Sequence, residues 1–119
     1  MDDNILSRFS QDRDKLNELM LKYSGTNAKR FLNLDWQTYN DGAIPVKMKE
    51  LMGLAVSLVI RCEDCVLYHL NRCYEENVTD EELEETLMIC LIAGGSITIP
   101  HIRRIWQAWD ELKPEKKDD

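Results

Sequence analysis

From Val46 to Ile60 the chain is apolar almost without relief. Val46, Met48, Leu51, Met52, Leu54, Ala55, Val56, Leu58, Val59 and Ile60 leave little polar face once Glu50 is passed. The unbroken part, Leu51 to Ile60, is too short for a membrane span, which needs roughly 20 residues, so it reads as a core helix. Pro45 suits the first helical position and Ile44 before it does not, which places the start. A helix apolar nearly all round must be covered on every side. A chain of 119 residues has little material for that, so a neighbouring subunit is expected to supply part of the cover. Gly53, Ala55 and Ser57 are small and would let another helix come close.

The surrounding sequence supplies more helices. Ile5, Leu6, Phe9, Leu16, Leu19, Met20 and Tyr23 follow the three-and-four spacing of an amphipathic helix, which Ser24-Gly25 would end. Residues 26–42 read as two shorter pieces, one carrying Phe31 and Leu32, the other capped by Asp35 and carrying Trp36 and Tyr39, with these aromatics packed in the core. Arg61-Cys62 interrupts the central apolar run, and a new helix from there would carry Val66, Leu67, Leu70 and Tyr74 inward to about Glu76-Asn77. Thr79 to Glu82 is a capping box for a helix through Leu83, Leu87 and Met88, ended by Gly94-Gly95. The last helix starts at Ser96 or Thr98, tolerates Pro100 in its first turn, and buries Ile102, Ile105, Trp106 and Trp109. From Lys113-Pro114 to Asp119 the charged tail reads as a frayed end. No segment alternates as a strand does, and no repeat or linker divides the chain, so residues 1–119 read as one all-α domain.

With 22 acidic against 15 basic residues the net charge is −7, and no basic stripe with interleaved aromatics appears. Nucleic acid is therefore not an expected partner, and neither is a membrane. Met1-Asp2-Asp3-Asn4 is polar and unlike a secretory leader, so the expected location is cytoplasmic. In a reducing compartment the cysteines are read for chemistry rather than as staples.

Two of the four cysteines are three residues apart, and a histidine follows by four: Cys62, Cys65 and His69 fall on one helical face. If the helix starts at Cys62, the free N–H groups of its first turn stabilise a thiolate there. CxxC thiols so placed can fall from about 8.5 to roughly 3.5–7.5. Arg61 would reinforce this, while Glu63 and Asp64 would oppose it. His69 is the natural proton acceptor for Cys65, although a buried histidine with a structural hydrogen bond has the same spacing. Zinc on Cys62, Cys65, His69 and His101 is the competing reading, weakened because the fourth ligand would be a lone histidine rather than half of a second close pair. Covalent haem is excluded, since Val66 stands where that motif needs histidine. Cys73 and Cys90 lie among apolar residues and read as core thiols. His101 with Arg103-Arg104 is either surface charge or a group reaching the site across an interface.

Glu50, eleven intervening residues, then Cys62-x-x-Cys65-x-x-x-His69 resembles the signature of the alkylhydroperoxidase AhpD core within the carboxymuconolactone decarboxylase family. The resemblance runs from about Pro45 to Trp109 and takes in Lys49-Glu50-Leu51, the Thr79–Glu82 cap and the Gly94-Gly95 turn, leaving residues 4–42 as an N-terminal helical extension of a core at 45–109. It implies an AhpD-like all-α fold assembled as a trimer or hexamer, with the site near a subunit interface. It further implies a thiol-dependent oxidoreductase, of peroxiredoxin type, acting on a hydroperoxide or protein disulfide. Glu50, Cys62, Cys65 and His69 would form a proton relay around a reversible disulfide, without metal or organic cofactor and with an external dithiol as reductant. By itself Glu50 reads only as a solvated partner of Lys47 or Lys49. Glu63-Asp64 stand where well-studied members have a histidine between the cysteines, and this chain has one helical half where they have two. A non-redox decarboxylase-like enzyme using Glu50 and His69 as acid and base, and a zinc-binding interaction protein, are the alternatives.

Overall fold

The chain's helix breaks fall where its backbone leaves the right-handed region. Arg61 and Asn77 both take φ of 63°, and Gly95 takes φ of 81°. In the computed structural model, which describes residues 4–117, these three breaks and the extended residues Ser24, Gly25 and Pro45 set apart six helices: α1 (Ile5–Tyr23), α2 (Thr26–Thr38), α3 (Val46–Val59), α4 (Glu63–Glu75), α5 (Asp80–Gly94) and α6 (Ile99–Lys117). A 3₁₀ turn, Ser96–Thr98, leads into α6. The described residues contain no strand, so the all-α expectation holds, and none of their helices is long and apolar enough to cross a membrane.

The break at Arg61 sets the topology. The amides of Arg61 and Cys62 donate back to the carbonyls of Leu58 and Ser57, both at 3.0 Å, which satisfies the orphan carbonyls of α3 in a Schellman turn. The chain reverses there, and α4 returns along α3. The same device ends α4: Asn77 and Val78 donate to the carbonyls of Tyr74 and Cys73 at 3.1 and 3.0 Å, and Val78 is buried behind them. Thr79 and Glu82 then form the expected capping box, each side chain accepting from the other's amide, at 3.1 and 2.9 Å. Leu54, Leu58, Leu70, Leu83 and Ile105 are fully buried where α3, α4, α5 and α6 meet. At α1, Asn4 caps the helix through Ser7, and Glu111 of α6 accepts from the amide of Ile5 at 2.8 Å. The indole of Trp109 donates to Asp80 at 2.8 Å, and Lys113 pairs with the same carboxylate.

Several expectations are corrected. Residues 26–38 form one helix, not two pieces, because neither glycine nor proline interrupts them, and Asp35 lies inside it. No residue of α2 is buried, and Phe31, Leu34 and Trp36 stand exposed instead of filling the core. Pro45 is the N-cap of α3 rather than its first helical residue, with ψ of 158°, and Asp41 accepts from the amide of Val46 at 2.7 Å. α6 runs through Pro114 to Lys117 rather than fraying from Lys113, leaving only 118–119 of that tail outside the described residues. Much of the apolar sequence is uncovered within the chain: Leu16, Leu19 and Tyr23 of α1, Met52 and Val56 of α3, and Ile89 and Ile92 of α5 are exposed.

A left-handed arginine is strained by roughly 1 kcal/mol relative to glycine, because its Cβ crowds the following carbonyl. Arg61→Gly is therefore expected to raise the urea midpoint by an amount equivalent to about 0.5–1 kcal/mol, with an unchanged slope. A lower midpoint would show that the arginine stabilises the turn in some other way.

Candidate functional site

Cys62 is both the last residue of the reversal after α3 and the N-cap of α4. Its sulfur accepts from the amide of Cys65 at 3.3 Å, as a serine or aspartate cap would. Cys62 and Cys65 are joined as a disulfide, their Cα atoms 5.3 Å apart. The pair thus sits where the unsatisfied N–H groups of α4 favour negative charge. Glu63 and Asp64 occupy the same turn with the opposite effect.

One turn beyond Cys65, His69 points back at α3. Its Nδ1 lies 2.8 Å from Oε1 of Glu50, and Arg72, a further turn along α4, donates Nε–H to Oε2 of the same carboxylate at 3.2 Å. Glu50 is only 1% exposed, so these partners decide whether it can be buried at all. A carboxylate paired with arginine accepts, which places a proton on Nδ1 of His69 and leaves Nε2 on the side away from Glu50. The hydroxyl of Tyr39 lies 3.4 Å from that Nε2. Burial, helped by the negative charges of Asp35 and Glu50, pushes the Tyr39 phenol above its ordinary value, so it remains a donor. The ring of His69 rests against Gly53: a Cβ there would lie 2.8 Å from both Cε1 of the imidazole and the Tyr39 hydroxyl.

A cleft of ≈ 620 Å³ opens over this arrangement, between α1, α2 and α4. Cys65, His69 and Tyr68 form its floor, with Phe9, Leu16 and Phe31 on its walls. Arg13 of α1 lies over the Tyr68 ring, 4.2 Å from its centroid. Cys65 therefore shares an open space with the histidine, whereas Cys62 is not part of that lining.

Of the four residues singled out in the sequence, Glu50 and His69 are in direct contact and Cys62 and Cys65 are bonded, while His69 and Cys65 share the cleft. The solvated reading of Glu50 is overturned, since Lys47 pairs with Glu82 and Lys49 donates to the carbonyls of Thr38 and Asn40. Within its own chain His101 lies apart from the cysteine sulfurs' partners, on the surface side of α4. It lies 2.7 Å from Glu63 of its own chain, with Arg104 on the same carboxylate. The described residues hold no group of three His, Cys, Asp or Glu side chains placed to bind a metal. Cys73 and Cys90 are buried, and burial pushes both thiols up, Cys73 to about 12. Three contributors escaped the sequence reading. Arg72 gave no signal beyond its charge. Tyr39 was assigned to core packing, and Gly53 was noticed only as a small residue. The last could have been found: Gly53 follows Glu50 by three, so both face α4.

A family model for the carboxymuconolactone decarboxylase family matches residues 26–108. Two crystal structures of a Thermotoga maritima protein are 48% identical to this chain, with TM-scores of 0.89 and 0.87. They cover 94% and 93% of it, and 98% and 94% of their own chains. The description of the second names a carboxymuconolactone decarboxylase family protein and suggests a part in an antioxidative response. A family protein from Legionella pneumophila, in its apo form, is 25% identical with a TM-score of 0.82 over 90% of this chain and 96% of its own. Among curated proteins, an uncharacterized protein of Cupriavidus necator is 38% identical over 55 residues, 46% of this chain, and the match spans 49% of that relative's length.

Gly53→Ala is expected to push the imidazole and the Tyr39 hydroxyl off α3 by a few tenths of an ångström or more, because Cβ contacts below 3.0 Å are not tolerated. Alanine favours a helix by about 1 kcal/mol over glycine, so the helix itself does not suffer. The expected result is a folded protein whose His69 ring NMR shifts change. Unchanged His69 shifts would refute the contact.

Proposed function

The chain belongs to the carboxymuconolactone decarboxylase family, and from that premise we propose that it is a thiol-dependent oxidoreductase that reduces disulfides or hydroperoxides through a reversible Cys62–Cys65 disulfide. The observation that carries this reading is the opening of that disulfide, at Cys65, onto the cleft whose floor also holds His69. In the reduced protein the Cys65 thiolate attacks the substrate's S–S or O–O bond. One half of the substrate leaves as thiol or alcohol, and Cys62 then displaces the other half, or water in the peroxide case, closing the disulfide. Two electrons and two protons pass to the substrate, and an external dithiol restores the pair.

Glu50 and His69 would manage the protons. Nε2 of the imidazole faces away from Glu50, next to the Tyr39 hydroxyl, and would take a thiol proton through that hydroxyl or a water. Glu50 then balances the imidazolium, much as it already balances Arg72. The exposed apolar residues of α1, α3 and α5 support assembly as a trimer or hexamer, which sedimentation should report as a multiple of the 13.9 kDa chain. A cytoplasmic setting, with its dithiol reductants, suits such a cycle.

Glu50 and His69 alone could serve a decarboxylase-like reaction, since their 2.8 Å contact does not need the thiols. Replacing both cysteines separates the two readings, because a decarboxylase would keep its activity. The direct test is thiol counting and mass measurement before and after peroxide or a disulfide substrate. After mild reduction, Cys62 and Cys65 should be alkylated readily at pH 8. Cys73, pushed up to about 12, stays a thiol at that pH and should resist labelling in the folded protein. Oxidation should remove two hydrogens from the peptide spanning Cys62 and Cys65 and from no other. If both cysteines stay reduced under excess peroxide and excess disulfide, the oxidoreductase reading is wrong.

A further inference from the structure

The cleft above Cys65 has a marked imbalance of charge. Asp12 of α1, Asp35 of α2 and Asp64 of α4 line it, and among the described residues none of the three forms an ion pair. The opposing cation is Arg13, laid on the face of Tyr68. A second cleft of ≈ 370 Å³ adjoins this one, sharing Arg13, Asn17, Asp35 and Tyr68, and adds Asp14, Glu75 and Arg72. Arg72 belongs to that second cleft, and its guanidinium is bound to Glu50, Glu75 and Glu76. Burial apart, Asp35 is the largest of the charges that raise the nearby Tyr39 phenol, while at Tyr68 on the floor Glu50 raises the phenol and Arg13 and Arg72 oppose it ahead of Asp35. Between these carboxylates stand the apolar walls Phe9, Leu16 and Phe31.

We propose that this cleft selects its substrate by charge, admitting to Cys65 amphipathic disulfides and hydroperoxides that are cationic or neutral and holding off those that carry carboxylates. The proposal rests on the oxidoreductase reading for its chemistry. Clefts lined by one sign of charge with low-dielectric walls concentrate ligands of the opposite sign and raise their on-rates by 10-fold or more, an effect that salt removes. An apolar body of the substrate would lie against Phe31 and Leu16, with its cationic end among Asp12, Asp35 and Asp64. The exchange is the one already balanced: the Cys65 thiolate displaces one thiolate of the disulfide, Cys62 displaces the other, and two thiols leave.

The test reads charge selection and turnover separately. In the reduced Cys62→Ser protein, where serine keeps the helix cap, Cys65 is labelled with methanethiosulfonates bearing a trimethylammonium, a neutral methyl or a sulfonate group. Each rate is divided by that reagent's rate with a small free thiol. At low salt the cation should exceed the anion by about tenfold or more, and 0.5 M salt should bring the ratio toward one. Asp12→Asn, Asp35→Asn and Asp64→Asn together should also collapse the ratio. Glu84→Gln, Glu85→Gln and Asp110→Asn, the same loss of charge on exposed parts of α5 and α6, should leave it intact. A ratio near one at low salt, or an equal fall in both triple variants, overturns the proposal. In parallel, the wild-type protein is offered cystamine, bis(2-hydroxyethyl) disulfide and dithiodipropionate with a dithiol reductant. Equal turnover of all three with a ratio near one leaves the oxidoreductase reading standing and removes the selection. No turnover of any, with the labelling ratio preserved, supports the selection at Cys65 and removes the oxidoreductase reading.

Discussion

A carboxylate buried to 1% exposure cannot stand alone, and the arrangement of α3 against α4 follows from how Glu50 is satisfied. Its two oxygens are taken by His69 and Arg72, three residues apart and so on one face of α4. Sliding or rotating α4 by one residue would strand a buried charge, which costs several kcal/mol. The apolar contacts between the two helices are tolerant of small shifts by comparison. Glu50 therefore acts as a register pin, and the same bond that fixes the register fixes which imidazole nitrogen faces away from the carboxylate.

The outline of the fold was legible where local rules act alone. The Thr79–Glu82 box, the stop at Gly94-Gly95, the end of α1 and the break before the CxxC pair all depend on capping and backbone preferences, and each appears as expected. What misled was burial. Hydrophobic spacing says that a stripe will be covered, without saying by what. Phe31 and Trp36 were assigned to the core and stand exposed, because α2 contributes no buried residue, and of the α1 stripe Leu6 is buried while Leu16, Leu19, Met20 and Tyr23 are exposed. The apolar surplus noticed on the central helix is the same fact seen from α3, where Met52 and Val56 are uncovered.

For the candidate site, spacing placed Cys62, Cys65 and His69 on one face, because they share a helix. Glu50 is on another helix, and no periodic rule links it to His69; the resemblance to a known signature supplied it. Tyr39 and Arg72 complete the hydrogen bonds of His69 and Glu50 from positions 30 and 22 residues away from those partners. Such contacts are decided by tertiary packing alone. Gly53 is intermediate: its smallness was visible, while its use, to seat an imidazole rather than another helix backbone, depended on which face α4 presents.

The two halves of the arrangement are built differently, and the difference suits a dithiol cycle. Glu50 and His69 are buried between α3 and α4, where side chains have little freedom. Cys62 and Cys65 occupy the end of a helix, the part of any helix whose geometry varies most cheaply. The Cys62 sulfur accepts from the Cys65 amide as an N-cap, and a thiolate at the same position can accept that bond as well. The cap can thus persist in both redox states, so that making or breaking the disulfide need not unravel α4. In the proposed cycle Glu50 and His69 would then keep the same surroundings whether the disulfide is open or closed, with Glu50 held by its burial and by His69 and Arg72.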